Sequence, residues 1–193
     1  MKRVFDVLAS AVGILILAVP LALLAWMVRR KLGSPVLFTQ VRPGLHGKPF
    51  RMVKFRTMTD TRDESGILLP DEQRITPFGR FLRATSLDEL PELWNVFRGE
   101  MSLVGPRPLL MDYLQKYSPK EMRRHEVLPG ITGLAQVRGR NTLSWKNKFR
   151  YDVFYVDNCG FLFDIKILMR TISVVIFRSG FKSHGELKRF DEQ

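Results

Sequence analysis

The chain has 193 residues, enough for one domain with a sizeable core. Its formal net charge is +12 and its pI near 10.3, so it suits polyanionic partners: nucleic acid, anionic lipid or phosphorylated substrates. The single cysteine, Cys159, excludes an intrachain disulfide and any zinc site built on several cysteines, and His46, His125 and His184 are too scattered for metal spacing.

Lys2 and Arg3 precede an apolar segment, and Arg29, Arg30 and Lys31 follow it. No charge falls between Val7 and Val28. As one helix this stretch would run roughly 33 Å at about 1.5 Å per residue, enough to cross a bilayer. The length of the run and the basic cluster after it argue against a cleaved signal peptide. Pro20 lies inside the run, where it removes a helical hydrogen bond and kinks the axis. A crossing helix would leave one basic cluster outside, whereas a re-entrant hairpin bent near Pro20 keeps both on the cytoplasmic side. A kinked single span and a re-entrant hairpin both fit these residues.

Residues 35–40 and 50–56 are strand-like and are joined by a turn-rich stretch, Arg42-Pro43-Gly44-Leu45-His46-Gly47-Lys48-Pro49, so a hairpin is expected. Lys54 and Arg56 fall on one face by period two and serve either as phosphate contacts or as a solvated face. The polar stretch from Thr59 to Gln73 is expected to be a mobile loop. Thr76-Pro77 starts a helix, a cap followed by proline, with Phe78, Phe81 and Leu82 as its apolar stripe and Arg80 and Arg83 on another face.

Next comes Ser86-Leu87-Asp88-Glu89-Leu90-Pro91, which places two adjacent carboxylates at an expected helix start. Ser86 and Glu89 have capping-box spacing, and Asp88 is an alternative N-cap, so plain capping is one reading. The other is chemistry. A carboxylate can attack phosphorus or hold Mg2+, a helix start suits an anion, and Arg80, Arg83, Arg98 and Arg107 surround the pair in sequence. Leu90, Leu93, Trp94 and Phe97 recur at helical spacing and are expected in the core, with Gly99 as the stop.

In Gly105-Pro106-Arg107-Pro108 two prolines lock the backbone around one arginine, which suits aiming a guanidinium at an anion or a rigid connector equally. A polar helical region follows, to about Val127. The glycine-rich stretch from Pro129 to Asn141 carries Arg138 and Arg140, candidate nucleotide contacts, but no Walker or dinucleotide fingerprint. Ser144 is expected to cap a helix carrying Trp145, Phe149, Val153 and Phe154. From Phe161 to Phe177 the chain is apolar but interrupted by Asp164, Lys166 and Arg170, which suits an interfacial or a core helix better than a second span. The tail from Arg178 is polar and expected to be loose.

Several blocks occur together: Lys2-Arg3-Val4-Phe5-Asp6 before an apolar segment with a central proline; Phe38-Thr39-Gln40 with Arg42-Pro43-Gly44; Lys54-Phe55-Arg56-Thr57-Met58; Ser86 to Pro91; Ser102-Leu103-Val104-Gly105-Pro106-Arg107-Pro108; and Pro129-Gly130-Ile131-Thr132-Gly133. In this order, over nearly the whole chain, they resemble the monotopic phosphoglycosyl transferases, the bacterial sugar transferases. The likeness is to the short, catalytic-core-only form, similar to the enzymes that initiate bacillosamine-type glycans.

The resemblance implies a mainly helical α+β fold. Its parts would be a re-entrant membrane helix-break-helix at 1–31 and a membrane-apposed catalytic domain at 32–193, with a small β-hairpin and amphipathic interfacial helices around a compact core. It implies transfer of a sugar phosphate from a UDP-sugar to polyprenyl (undecaprenyl) phosphate with release of UMP. This would be the first membrane step of surface-glycan assembly, on the cytoplasmic face of the bacterial inner membrane. Asp88 would be the nucleophile and Glu89 its assistant, with Mg2+ at Asp88 and Glu89. Arg83, Arg107 and Lys54 would contact phosphate, and Arg138 and Arg140 the nucleotide. The implied partners are the UDP-sugar, the polyprenyl phosphate and anionic membrane lipids, without nucleic acid; the oligomeric state is open, a homodimer being one candidate. Pro20 would mark the membrane break. Members often carry Ser-Pro there, and Val19-Pro20 lacks the hydroxyl able to bond a freed carbonyl. The alternative is a non-catalytic, basic, membrane-anchored module binding anionic lipid or nucleic acid, with Asp88 and Glu89 as caps only.

Overall fold

A computed structural model describes residues 1–139 and 142–177. The chain is mainly helical, with two small two-stranded sheets. Two helices open it, α1 (Lys2–Ile16) and α2 (Ala18–Leu32), meeting at 64°. The break falls at Leu17 rather than at Pro20, which sits in the first turn of α2. The reason is steric. Pro20 has no N–H for the carbonyl of Ile16 and its ring crowds that oxygen, so the helix breaks one turn upstream. Among the described residues no single helix is long and apolar enough to cross a membrane, and this bent pair alone passes together.

Helix α1 is amphipathic in an inverted sense. Asp6 and Ser10 are its buried residues, 2% and 0% exposed, while Leu8 is 60% and Leu15 76% exposed. In water this arrangement would leave an apolar stripe unpartnered. The polar face is fully used. Asp6 accepts from Ser102 Oγ at 2.8 Å and from the Leu103 N–H at 3.2 Å. Arg3 donates to the Val96 carbonyl at 2.8 Å, at the C-terminal end of a helix, where a cation is favoured. Lys2 pairs with Asp164.

The hairpin forms as expected, from β1 (Leu37–Pro43) and β2 (Pro49–Phe55), paired antiparallel with Arg42 opposite Phe50 and Phe38 opposite Lys54. Phe50 and Met52 pack into a core with Val96 and Met101, so Lys54, on the same face by period two, points inward. Neither basic residue at the end of β2 lies on a solvated face. Arg56 is buried and bonds the carbonyls of Met58 and Ser34 and the carboxylate of Asp60. Thr59 to Gln73 is less open than the sequence suggests. It is gathered by the bridges Met58–Ile75 and Arg62–Leu68 and ends in the short α3 (Asp71–Arg74).

Helix α4 (Pro77–Thr85) starts where Thr76 accepts from the Gly79 N–H at 3.0 Å. A Cβ on Gly79 would lie 1.8 Å from the Thr57 carbonyl oxygen, so glycine lets α4 lie directly on the end of the hairpin. Residues 87–89 form one 3-10 turn, and α5 (Glu92–Arg98) stops at Gly99, φ 90°. Asn95 fastens α5 to β2: its Nδ2 donates to the Arg51 carbonyl at 2.7 Å and its Oδ1 accepts from the Val53 N–H at 3.0 Å. The buried positions of α5 are therefore Glu92, Asn95 and Val96, while Trp94 and Phe97 face outward, against the expectation that they fill the core.

Strand β3 (Ser102–Val104) runs parallel to β4 (Gly130–Thr132). The polar region between them is a series of single turns, Met111–Lys116, α6 (Pro119–Met122) and Arg123–His125, rather than one helix. His125 is buried and its Nδ1 donates to the Gly44 carbonyl at 3.2 Å; burial keeps the ring neutral, its pKa pushed down to about 4. Helices α7 (Leu134–Arg138), α8 (Trp145–Asn158, capped by Ser144) and α9 (Phe161–Ile176) complete the described chain. The tail from Arg178 lies outside the described residues. Asp164 on α9 is buried and accepts from Tyr155 Oη at 2.7 Å, while Leu162, Met169 and Ile172 are exposed. The face that carries the buried acid is the packed one, as on α1.

Replacing Asp6 with alanine orphans the Leu103 N–H, while Ser102 Oγ keeps the Val104 carbonyl at 3.0 Å, at a cost of about 1–3 kcal/mol. Asp6→Ala should lower the Tm of detergent-solubilised protein by about 2–12 °C, at roughly 2–4 °C per kcal/mol for a chain of this size. Leu8→Ala, on the exposed face, should barely move it. Equal losses in both variants would show that the polar face is not what holds α1.

Candidate active site

The 3-10 turn at Leu87–Glu89 does not fit the capping reading of the acidic pair. Ser86 adopts φ 57°, its side chain caps nothing, and α5 begins only at Glu92 without a side-chain cap. Neither Asp88 nor Glu89 caps a helix. A non-glycine residue held at positive φ costs energy and re-aims the chain beyond it, here both carboxylates.

Glu89 is clamped. Its Oε1 accepts from Lys54 Nζ at 2.9 Å and also from Arg107 Nη2. Burial favours its neutral form, but Arg107 and Lys54 outweigh burial and hold its carboxyl far below the usual range. Lys54 also lies 3.0 Å from Glu92 Oε1. Burial depresses the Lys54 ammonium, Glu89 and Glu92 overcome that, and its net shift is upward. Glu92, 2% exposed, is pushed up to about 7, by burial first and against the pull of Lys54.

Asp88 differs. It is 7% exposed and has neither ion pair nor hydrogen bond among the described residues. Burial, then the adjacent Glu89, pushes its pKa up to about 6, against Lys54, Arg107 and Arg83. A buried carboxylate with several cations near it and none bound to it is a candidate nucleophile or metal ligand.

Arg107 reaches Glu89 from a loop built by glycines. A Cβ on Gly130 would sit 2.0 Å from the Gly105 nitrogen, and one on Gly133 2.1 Å from the Gly105 carbonyl oxygen. Gly130 and Gly133 thus let β4 pack closely on the Gly105–Pro108 loop. Arg124, 2% exposed and paired with Asp152, donates to the Arg107 carbonyl at 2.7 Å. Arg83 donates to Thr57 Oγ1 at 2.9 Å, and Asp88 attracts it without an ion pair. Arg138 is exposed on α7 and joins none of these contacts; Arg140 lies outside the described residues. The sequence reading missed Glu92 and Arg42. Glu92 looks like any first-turn acid, and only the fastening of α5 to β2 turns it onto Lys54.

The residues present suit Mg2+ held chiefly by a substrate. No cluster of three or more metal-ligating side chains exists among the described residues, and Glu89 Oε1 is taken by two cations. Asp88 is the free oxygen donor, and Mg2+ commonly takes one or two carboxylates plus substrate phosphates.

An apolar groove of about 640 Å3 lies beside the acidic turn, lined among others by Ile14, Leu21, Ala25, Val53, Leu90 and Trp94. It joins the bend of α1 and α2 to the residue following Glu89.

Residues 1–178 match the family model described as bacterial sugar transferase. The chain belongs to the bacterial sugar transferase family. It is 55% identical over 192 residues to EpsL of Bacillus subtilis, called an uncharacterized sugar transferase, covering 98% of this chain and 95% of that one. It is 40% identical to an undecaprenyl-phosphate galactose phosphotransferase of Salmonella typhimurium, over 93% of this chain but 41% of that protein. It is also 40% identical to a UDP-glucose:undecaprenyl-phosphate glucose-1-phosphate transferase of Caulobacter vibrioides, over 89% of this chain and 68% of that one. This sugar transferase thus spans nearly all of one such relative and about two-fifths of another.

The unequal bonding of the two acids has a measurable consequence. Glu89→Gln leaves Arg107 and Lys54 short of an anion and should cost about 3–5 kcal/mol. Asp88→Asn breaks no ion pair and removes a negative charge beside Glu89, so its Tm should equal or exceed that of the unmodified protein. Thermal melting of both variants checks this; equal losses would mean that Asp88 is bonded like its neighbour.

Proposed function

We propose that this sugar transferase moves a sugar phosphate from a UDP-sugar to a polyprenyl phosphate and releases UMP, with Asp88 as the covalent nucleophile. The observation that carries the reading is a buried, unbonded carboxylate between Arg83 and a cation pair already fixed on Glu89. An Asp88 oxygen attacks the sugar-bearing phosphorus, the bond from that phosphorus to the bridging oxygen breaks, and UMP leaves with the oxygen. A phosphate oxygen of the lipid then attacks the same phosphorus. The aspartyl–phosphorus bond breaks, Asp88 returns as a carboxylate, and the product is a lipid diphosphate sugar. Charge builds on the phosphoryl oxygens during both displacements. Arg107 and Lys54, held by Glu89, and Arg83, held by Thr57, supply fixed positive charge for it. Mg2+ bound by Asp88 and the substrate's phosphates would neutralise diphosphate charge.

The names of the Salmonella and Caulobacter relatives support an undecaprenyl phosphate acceptor. So does the inverted face of α1, which suits apolar surroundings outside and a polar protein inside. The apolar groove offers room for the first isoprene units of the acceptor beside the acidic turn. Basic residues at both ends of the α1–α2 pair favour a re-entrant placement with both ends on the cytoplasmic face. Since the acceptor enters with one phosphate and leaves bearing a sugar, the step stands at the start of a lipid-linked glycan. The rival basic module requires Asp88 and Glu89 to be caps, and neither is one.

Intact-mass measurement with Mg2+ and a panel of UDP-sugars, without lipid, should show a gain of one sugar phosphate, absent in Asp88→Asn. Adding polyprenyl phosphate should discharge the adduct. UMP release by Asp88→Asn at the normal rate would remove Asp88 from the role of nucleophile. Because burial and Glu89 raise the pKa of Asp88 to about 6, the ionised form is lost as pH falls. The kcat/KM for the UDP-sugar should drop about tenfold per pH unit below about 6. A profile flat from pH 7 to 5 would contradict the assignment.

A further inference from the structure

Most cations around the acidic turn have an acid of their own: Lys54 has Glu89 and Glu92, Arg107 has Glu89, Arg124 has Asp152 and Arg56 has Asp60. Arg42 has none. It lies on β1 opposite Phe50, on the same face of the hairpin as Lys54. Its one hydrogen bond runs from Nη2 to Gln40 Oε1 at 2.6 Å, a neutral acceptor on its own strand. Its Nε is buried and has no hydrogen-bond partner. Arg107 faces it with like charge, Glu92 partly offsets that, and Tyr113 and Tyr117 are the other titratable neighbours.

Arg42 and Arg107 repel each other, Glu92 offsets this only in part, and Glu89 is already taken by Arg107 and Lys54, so the arrangement is unbalanced. A buried N–H with no acceptor adds a desolvation cost. A phosphate group removes both, since guanidinium forks match its oxygens and its charge offsets the repulsion. We propose that Arg42 and Arg107 form a two-arginine cradle for a substrate phosphate, with Arg42 Nε donating to one of its oxygens. The inference rests on the phosphoglycosyl transfer proposed above and extends it to a residue on the hairpin. The phosphate comes from the UDP-sugar diphosphate or from the lipid acceptor, chemistry the cradle accepts from either.

The test uses full-length protein, Arg42→Met and Arg42→Lys. Arg42→Met loses no acid partner and sheds a like charge, so it should melt at or above the unmodified protein. Inorganic pyrophosphate should raise the Tm of the unmodified protein and leave that of Arg42→Met unmoved. In turnover, Arg42→Met should lose at least 100-fold in kcat/KM. Arg42→Lys, without an Nε, should stay at least tenfold down. A loss carried by the KM for UDP-sugar assigns the donor diphosphate, and one carried by the KM for polyprenyl phosphate assigns the acceptor. Equal pyrophosphate shifts in all three proteins, or full activity of Arg42→Lys, would overturn the cradle. A lower Tm with unchanged kcat/KM would make Arg42 a fold residue instead. Absence of turnover by the unmodified protein with every UDP-sugar would count against the transferase reading, and the pyrophosphate arm would still decide the cradle.

Discussion

Glu89 Oε1 accepts from both Lys54 and Arg107, and the arrangement around the acidic turn depends on that shared oxygen. It ties the hairpin, the turn after α4 and the loop after β3 into one unit. Three separate stretches of sequence are thereby held at fixed distances, as a phosphoryl-transfer site requires. The same contact divides labour between adjacent carboxylates. Glu89 is ionised and occupied; Asp88, one residue earlier, is left without a partner. Two acids alike in sequence acquire opposite pKa shifts because one touches cations and the other only lies near them.

The second organising constraint is the polar interior of α1. In a water-soluble domain a helix buries its apolar stripe, and here the buried stripe is Asp6 and Ser10. The exposed apolar residues of α1, α2 and α9 belong to different parts of the chain, yet in each the buried face carries the polar or packed residues. The apolar groove opens where α1 and α2 bend, next to the acidic turn. An apolar approach thus ends at a charged site.

Much of this was legible from residues alone. The hairpin, the Thr76 and Ser144 caps and the Gly99 stop follow from local chemistry, which is decided within a few residues. The family resemblance added the roles proposed for Asp88 and Glu89. The misreadings share a cause: each depended on contacts distant in sequence. Ser86-x-x-Glu89 has capping-box spacing, but Glu89 bonds Lys54, 35 residues away, and Ser86 turns to positive φ. Trp94 and Phe97 look like core because their spacing is helical, whereas Asn95 rotates α5 so that Glu92 faces inward. In sequence the glycines after Pro129 suggest only what they could bind, and their close backbone packing on Gly105 is seen only in the fold. Arg42 stands in one of the blocks that carry the resemblance, but only the fold shows that its Nε lacks a hydrogen-bond partner among the described residues.

The polar face of α1 also bears on how the chain is made. Lys2, Arg3 and Asp6 are synthesised well before their partners: Ser102 is 96 positions from Asp6, and Asp164 is 162 positions from Lys2. At bacterial elongation rates of roughly 10–20 residues per second, about 8–16 s separate the two ends of the longer tie. During that interval α1 has neither its acid acceptor nor its serine donor, while its apolar face is complete from the start. The apolar side can be partnered first and the polar side only once β3 and α9 exist. The membrane, if it receives α1 early, then acts as a holding surface on which the catalytic domain is later closed.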